Sequence, residues 1–280
     1  MTVDELLFEG TKTLKTASVE DADFDARCLL EEAMNIDTMH LMLMRGDEVE
    51  ASVAEKFFKL IQKRAEGEPL QYILGKWEFC GLPFAVGKGV LIPRPETEML
   101  VDFAVDFLKE KREPIVFDLC SGSGCIAISV ASFCKNTKVY AVEKFDNAFA
   151  YLKKNILLNN IENITAVCGD IFDKNLLNEI KPDLILSNPP YIRSADIEPL
   201  QREVKKEPIT ALDGGEDGFD FYRVLCTDWF GRLKSGGAVA FECAEDQTEE
   251  ISKMLSDFAT KTEIYYDFNG LPRIVAAIKK

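Results

Sequence analysis

Along the first 75 residues the apolar positions fall three and four apart, and from residue 114 onward they gather into short unbroken runs. The first texture suits amphipathic helices, which need an apolar residue at every turn; the second suits strands buried on both faces. Leu6, Leu7 and Leu14 mark one helix. Phe24, Ala26, Cys28, Leu29, Leu30 and Ala33 mark a second after an acidic start, and Val53, Phe57, Phe58, Leu60 and Ile61 a third. Between the last two, the apolar stripe 40–44 is expected to pack into the core, with the lone His40 outside any chemistry. Residues 77–90, rich in aromatics, Gly and Val, read as a β-hairpin linker.

Beyond Pro114 strands and helices alternate. The runs 115–119, 138–142, 163–168, 184–187 and 238–243 read as strands, separated by helical patterns near 126–133, 147–158 and 219–234. A helix over 246–258 and two closing strands, 263–267 and 273–278, joined through Asn269-Gly270, complete the series. Such alternation predicts an α/β fold: a doubly wound, mostly parallel, Rossmann-like sheet with right-handed crossovers. With seven strands it follows a small all-helical N-terminal domain. The expected division is 1–75 helical, 76–91 hairpin linker, and 92–280 the sheet domain.

Composition narrows the setting. The chain is 47% apolar and 29% charged, as in ordinary globular proteins, and no apolar run approaches a membrane-spanning length. Its acidic N-terminus does not read as a signal peptide. Eight cysteines without C-x-x-C spacing, beside one histidine, point to reduced thiols in a cytoplasmic protein with no zinc site. A net charge of −15 and a pI near 4.7 argue against avid binding of nucleic acid.

Candidate chemistry collects at strand ends, where open α/β sheets bind ligands. The run 184–187 breaks at Asn188-Pro189-Pro190-Tyr191, which sets an amide, stiff prolyl carbonyls and an aromatic ring at the end of the sheet. Together they can hold a planar group bearing an NH2, either an amide or an exocyclic amine. Earlier, Asp118 ends the first strand before the turn Cys120-Ser121-Gly122-Ser123-Gly124, whose glycines let the backbone approach a ligand at a helix N-terminus. Glu143 ends the next strand, placed to accept from a ribose diol, and Asp170, with Ile171 beside it, ends the third, where it could face an adenine rim. A nicotinamide dinucleotide and S-adenosylmethionine both suit such a site. No hydride-transfer acid is evident and Asp118 suits an ammonium group, which favours S-adenosylmethionine. Upstream, prolines in Ile92-Pro93-Arg94-Pro95-Glu96-Thr97-Glu98 hold Arg94 and Glu96 as candidates for positioning substrate.

Over essentially its full length the chain resembles the release-factor glutamine methyltransferases, the HemK/PrmC family. The resemblance rests on Asp25-Ala26-Arg27-Cys28-Leu29-Leu30, the 92–98 loop, the 118–124 turn and Asn188-Pro189-Pro190-Tyr191. It also rests on Ala211-Leu212-Asp213-Gly214-Gly215-Glu216-Asp217-Gly218 and on Asp267-Phe268-Asn269-Gly270-Leu271-Pro272-Arg273. Asn-Pro-Pro-Tyr alone is shared with DNA adenine methyltransferases; the 92–98 loop together with Gly-Gly-Glu-Asp-Gly is far more specific. The chain departs from the family pattern at Cys120, commonly glycine, and at Cys243-Ala244, commonly His-Gly.

The resemblance implies methyl transfer from S-adenosylmethionine to the N5 amide nitrogen of the glutamine in the Gly-Gly-Gln motif of bacterial class I peptide chain release factors. It also implies that the helical domain docks the release factor. On this expectation the Asn188 side-chain oxygen, next to the cofactor, and the Pro189 carbonyl accept the two amide N–H bonds, and Tyr191 packs on the amide plane. The alternative activity is N6-methylation of a nucleic-acid adenine, which needs a flipped base and a basic channel. A non-catalytic cofactor-binding scaffold fits least well with the intact acidic strand ends.

Overall fold

A capping box opens the chain in the computed structural model, which describes all 280 residues. The Thr2 hydroxyl accepts from Glu5 N, and the Glu5 carboxylate accepts from Thr2 N at 3.0 Å. Helix α1 (Val3–Thr16) buries Val3, Leu6, Gly10 and Leu14 along one stripe. A Cβ on Gly10 would lie 2.5 Å from the Phe57 ring, so α1 and α4 (Ala51–Ala65) cross closely. Between them α2 (Ala22–Met34) stops at Asn35 in the left-handed conformation, followed by α3 (Thr38–Leu43). A short α5 (Leu70–Leu74) ends at Gly75.

The stripe over 40–44 does not pack as expected. Leu41 is buried, but Met42 is 55% and Leu43 80% exposed. With six residues α3 has fewer than two turns, and consecutive apolar side chains on a helix point to different sides, so only one of them reaches the core.

These helices form one unit, Met1–Lys76, together with a segment from far along the chain, Gln201–Lys206. The sequence division had left that segment in the sheet domain. Its anchor is Arg64 of α4, buried and paired with Asp25 at 2.6 Å and with Glu203 at 2.9 Å. Burial raises the Asp25 carboxyl against the pull of the guanidinium.

The second unit, Trp77–Leu200 with Glu207–Lys280, holds the sheet. The hairpin β1 (Lys76–Phe79) and β2 (Leu82–Ala85) does more than link: Phe79 and Phe84 are buried in the core, edge to face at 6.0 Å. The elements that follow are α6 (Glu98–Leu108), β3 (Ile115–Leu119), α7 (Cys125–Phe133), β4 (Lys138–Glu143), α8 (Asp146–Leu158), β5 (Ile164–Cys168) and β6 (Leu184–Ser187). Next, α9 (Asp220–Val224) runs through a π turn (Leu225–Trp229) into α10 (Phe230–Arg232). The chain closes with β7 (Ala238–Glu242), α11 (Thr248–Ser256), β8 (Ala259–Tyr266) and β9 (Pro272–Lys279).

The seven strands lie in the order β5-β4-β3-β6-β7-β9-β8, parallel except for β9, which runs antiparallel to both neighbours. The alternation along the strands sorts two cores. Val116, Leu184 and Leu186 face α6, α7 and α8, whereas Phe117, Leu119 and Ile185 face Tyr222, Trp229 and α11. The winding reverses between β3 and β6, which pair with Leu119 opposite Ser187. Cys120 and Asn188 therefore emerge side by side at the switch point, where the diverging connections leave a crevice. No helix is long and apolar enough to cross a membrane.

Candidate active site

One cavity opens above the carboxyl ends of β3, β4, β5 and β6. Arg94, the Cys120-Ser121-Gly122-Ser123 turn, Glu143, Asp170, Ile171, Asn188 and Pro190 all line it. Asp118, Gly124, Pro189, Tyr191 and Glu96 do not reach its wall, and each of these has a different place.

The β3–α7 turn is made by three left-handed residues, Cys120 (φ 63°), Gly122 (φ 55°) and Gly124 (φ 81°). Nothing lies within 4 Å of a Cβ built on Gly122, so its backbone is bare toward the cavity. Gly124 answers a packing need instead: a Cβ there would sit 2.4 Å from the Leu152 side chain of α8. Asp118 lies behind the turn, fully buried; its Oδ2 accepts from Ala127 N at 3.1 Å and its Oδ1 has no partner. Burial pushes its carboxyl up to about 7 despite the bond from Ala127 N; the Ser121 hydroxyl donates to the Asp118 main-chain oxygen at 2.8 Å.

Glu143 is buried on the wall with both oxygens engaged, Oε2 by Gly122 N at 2.9 Å and Oε1 by Phe145 N at 2.8 Å. Burial raises it, and those backbone bonds oppose the rise. Asp170 accepts from Phe172 N at 3.0 Å and pairs with Lys144 at 2.8 Å. Partial burial would raise Asp170, but Lys144 and the Phe172 N–H hold it below the usual carboxylate range. Phe145 and Phe172 line the cavity and are partly exposed, a contribution the sequence reading missed. A signal was present: each stands two residues after an acidic strand end, as Glu143-Lys144-Phe145 and Asp170-Ile171-Phe172.

On the other side, Asn188 Nδ2 donates to the hydroxyl of Thr97 at 3.1 Å. Arg94 is held by the buried Glu207, whose second oxygen accepts from Ile92 N at 2.9 Å. Prolines alone therefore do not fix Arg94; a carboxylate more than a hundred residues away does. The Tyr191 hydroxyl is withdrawn near Glu242, Arg273 and Arg94, and burial raises its pKa. Glu96 lies in the same charge cluster with Glu242 and Arg273.

The 211–218 motif grips the main chain of the Asn-Pro-Pro-Tyr segment. Gly214 N donates to Ile192 O at 2.8 Å, and a Cβ on Gly214 would lie 2.8 Å from Tyr191 Cα and 2.9 Å from Pro190 O. Gln247 Nε2 completes the grip on Tyr191 O at 3.0 Å and Gly218 O at 3.1 Å. Glu242 ends β7 almost fully buried, with Oε2 unpartnered; burial pushes it up to about 7 against the pull of Arg273 and Arg94.

Comparison with known proteins bears on this arrangement directly. The PrmC N-terminal domain family matches residues 5–75, and the TRM5/TYW2 methyltransferase domain family matches residues 104–210. The release factor glutamine methyltransferase of Clostridium botulinum is 36% identical, with 100% of each chain covered. The chain belongs to the release factor glutamine methyltransferase family. A second release factor glutamine methyltransferase, from Geobacter sulfurreducens, is 37% identical over 94% of this chain and 91% of its own. Among solved structures, the hMettl16 catalytic domain in complex with the MAT2A 3'UTR hairpin 6 superposes with a TM-score of 0.57 at 16% identity, covering 81% of each chain. That likeness concerns the fold. The family membership makes the chain a methyltransferase, and in the cavity above β3–β6 the strand-end carboxylates Glu143 and Asp170 meet Asn188.

Proposed function

We propose that this methyltransferase moves a methyl group from S-adenosylmethionine to the side-chain amide nitrogen (N5) of the glutamine in the Gly-Gly-Gln motif of bacterial class I release factors. The observation that carries the reading is the continuity of one cavity from Gly122, Glu143 and Asp170 to Asn188 and Arg94. The donor set suits the cofactor. Glu143 keeps lone pairs for a ribose diol, Asp170 can accept from an exocyclic amine, Phe145 and Phe172 offer faces for stacking, and Gly122 presents bare backbone. When bound, S-adenosylmethionine supplies an electrophilic methyl group on a sulfonium.

Asn188 does the positioning. Its Nδ2 is taken up by Thr97, which leaves Oδ1 to accept an N–H of the substrate amide. An amide nitrogen is a poor nucleophile because its lone pair is shared with the carbonyl; an acceptor on its N–H orients it and stabilises the positive charge it develops. Pro189 lies off the wall and is given no part, and Tyr191 acts through the main chain that Gly214 and Gln247 hold. The helical unit, which leaves Phe8, Met39, Met42 and Leu43 in solvent, is assigned to docking the release factor. The net charge of −15 weighs against a nucleic-acid substrate.

Peptide mass spectrometry of an unmethylated release factor, incubated with the protein and S-adenosylmethionine beside DNA and RNA controls, tests the reading. The expected product is one methyl group on the Gly-Gly-Gln glutamine. In Asn188→Ala, kcat should fall by at least about 100-fold, the scale of losing one oriented transition-state contact. Methylated adenine with an untouched release factor would put the nucleic-acid reading in its place.

A further inference from the structure

The Asp267-Phe268-Asn269-Gly270-Leu271-Pro272-Arg273 motif does not line the cavity, yet the sheet brings it beside the site. Ser187 pairs with Phe241, Phe241 with Val275 and Val275 with Ile264, so β6, β7, β9 and β8 share one row. Because β9 runs antiparallel to both neighbours, β8 points the same way as β6. The turn that follows Tyr266 therefore leaves the sheet at the edge where Asn188 leaves it. Two strand spacings separate β6 from β9, so the turn stands about 10 Å to the side of Asn188. Hydrogen bonds join the two places: Gln247 Nε2 donates to Tyr191 O at 3.0 Å, Ala244 N to Gln247 Oε1 at 3.1 Å, and Cys243 N to Arg273 O at 2.9 Å.

The turn is fixed by its own residues. Asp267 Oδ1 accepts from Asn269 N at 2.8 Å and from Leu271 N at 2.9 Å, and Oδ2 accepts from Arg273 Nε at 3.0 Å. Its main-chain N–H donates to Leu271 O at 2.8 Å, and Gly270, at φ 77°, closes the bend with a bond to Asp267 O at 2.9 Å. None of these bonds needs a side chain at position 268. Phe268 is nonetheless there, more exposed than any other large apolar side chain of the protein, and Tyr266 and Leu271 at the ends of the turn are exposed as well. A single apolar side chain in solvent is ordinary. Phe268 differs in being held out by a rigid frame, on the catalytic edge of the sheet, where its ring forfeits the stabilisation of burial.

We propose that Phe268 is a substrate-contact residue: an extended polypeptide that has delivered its glutamine to Asn188 passes over the Phe268 ring within about four residues of that glutamine. The proposal rests on the reading of the substrate given above. A span of about 10 Å takes about three extended residues, so the near neighbours of a glutamine held at Asn188 can reach the turn. The charges of the turn are spent on each other, Asp267 on Arg273. What remains to offer is the face of a ring, which suits peptide planes and apolar side chains rather than a phosphate backbone. An aromatic anchor of this kind carries a disproportionate share of binding energy.

The test measures kcat and KM on an unmethylated release factor with the full-length protein and its variants. Phe268→Ala should raise KM about tenfold, the effect of losing an aromatic anchor, with kcat and the S-adenosylmethionine dissociation constant within about twofold. Its melting temperature should stay at the wild-type value, since the bonds of the turn are untouched. Phe268→Tyr, which keeps a ring, should retain the wild-type KM. A KM within about twofold of wild type in Phe268→Ala, or one raised equally in Phe268→Tyr, overturns the proposal. If the wild-type protein leaves the release factor unmethylated, the substrate reading falls and the contact with it. If it methylates the factor and Phe268→Ala does so with the same KM, the contact alone falls. A cross-linking variant locates the contact directly: irradiation of Phe268→p-benzoylphenylalanine with the release factor should label residues within about four positions of the Gly-Gly-Gln glutamine. Label on a distant part of the release factor, only on a second copy of this chain, or nowhere overturns the proposal.

Discussion

The two halves of the cavity are built differently. Around β3, β4 and β5 each polar group is fixed by its own turn: Glu143 by the N–H of Phe145 two residues on, Asp170 by that of Phe172, the Gly122 backbone by Glu143 across one strand. Around β6 and β7 the ties that hold the site are long-range. Asn188 leans on Thr97, Arg94 on Glu207, and the Tyr191 carbonyl on Gln247, each pair separated by more than fifty residues. The first half is complete wherever the strands are parallel and in register; the second exists only when distant segments have converged. A cofactor shared by many enzymes needs the first kind of site, whereas recognition of one amide calls for the second.

Damage to the second half should therefore be global and damage to the first milder. The largest effect is expected for Gly214→Ala, whose methyl group would collide with the main chain of Pro190 and Tyr191. Denaturant unfolding should show a loss of about 2–3 kcal/mol, as for other forced overpacking, with turnover abolished in parallel. A variant of normal stability would mean that the segment tolerates movement and the grip is not needed.

Asp118 sharpens the same contrast through pH. Its carboxyl titrates near 7 when folded, against an ordinary value of 3.8, because burial disfavours the charge. Between those values the native state keeps a proton that the unfolded chain has lost. Stability should then fall as pH rises through that window, by up to about 1.4 kcal/mol per pH unit, and level off above it. Asp118→Asn should remove that share of the slope in melting temperatures recorded across the window; an identical slope would show that Asp118 is not the group responsible. Glu143→Gln should weaken S-adenosylmethionine about tenfold, or ~1.4 kcal/mol, by breaking one of two backbone bonds, with kcat at saturation within about twofold. Calorimetric titration reads the first and steady-state kinetics the second; a collapse of kcat instead would erase the boundary between the halves. The smallest effect is expected for Cys120→Gly. A non-glycine residue at φ 63° carries left-handed strain, and the family's usual glycine should recover about 1 kcal/mol of unfolding free energy.

The same contrast explains what could be read from the chain before its structure. Strand runs, the Ser121–Gly124 turn and the acids ending β4 and β5 announce themselves because the residues that make them work are neighbours in sequence. The mostly parallel seven-stranded sheet followed from the same local runs. Thr97, Glu207 and Gln247 carry no such mark; their function comes from a partner that only folding brings near. The stripe at 40–44 failed for the opposite reason: it is apolar throughout, but its helix is too short to bury more than Leu41.

The placement of Gln201–Lys206 bears on how this protein could be cut or recombined. The chain passes from one unit to the other at residues 76/77, 200/201 and 206/207, so no single cleavage separates them. A fragment starting at Trp77 would carry Glu203 without Arg64. A fragment ending at Lys76 would keep the buried Arg64–Asp25 pair but lose the second carboxylate that Arg64 Nη1 bonds. Grafting the helical module onto another methyltransferase sheet therefore means transplanting six residues from the far side of the Asn188 loop along with it.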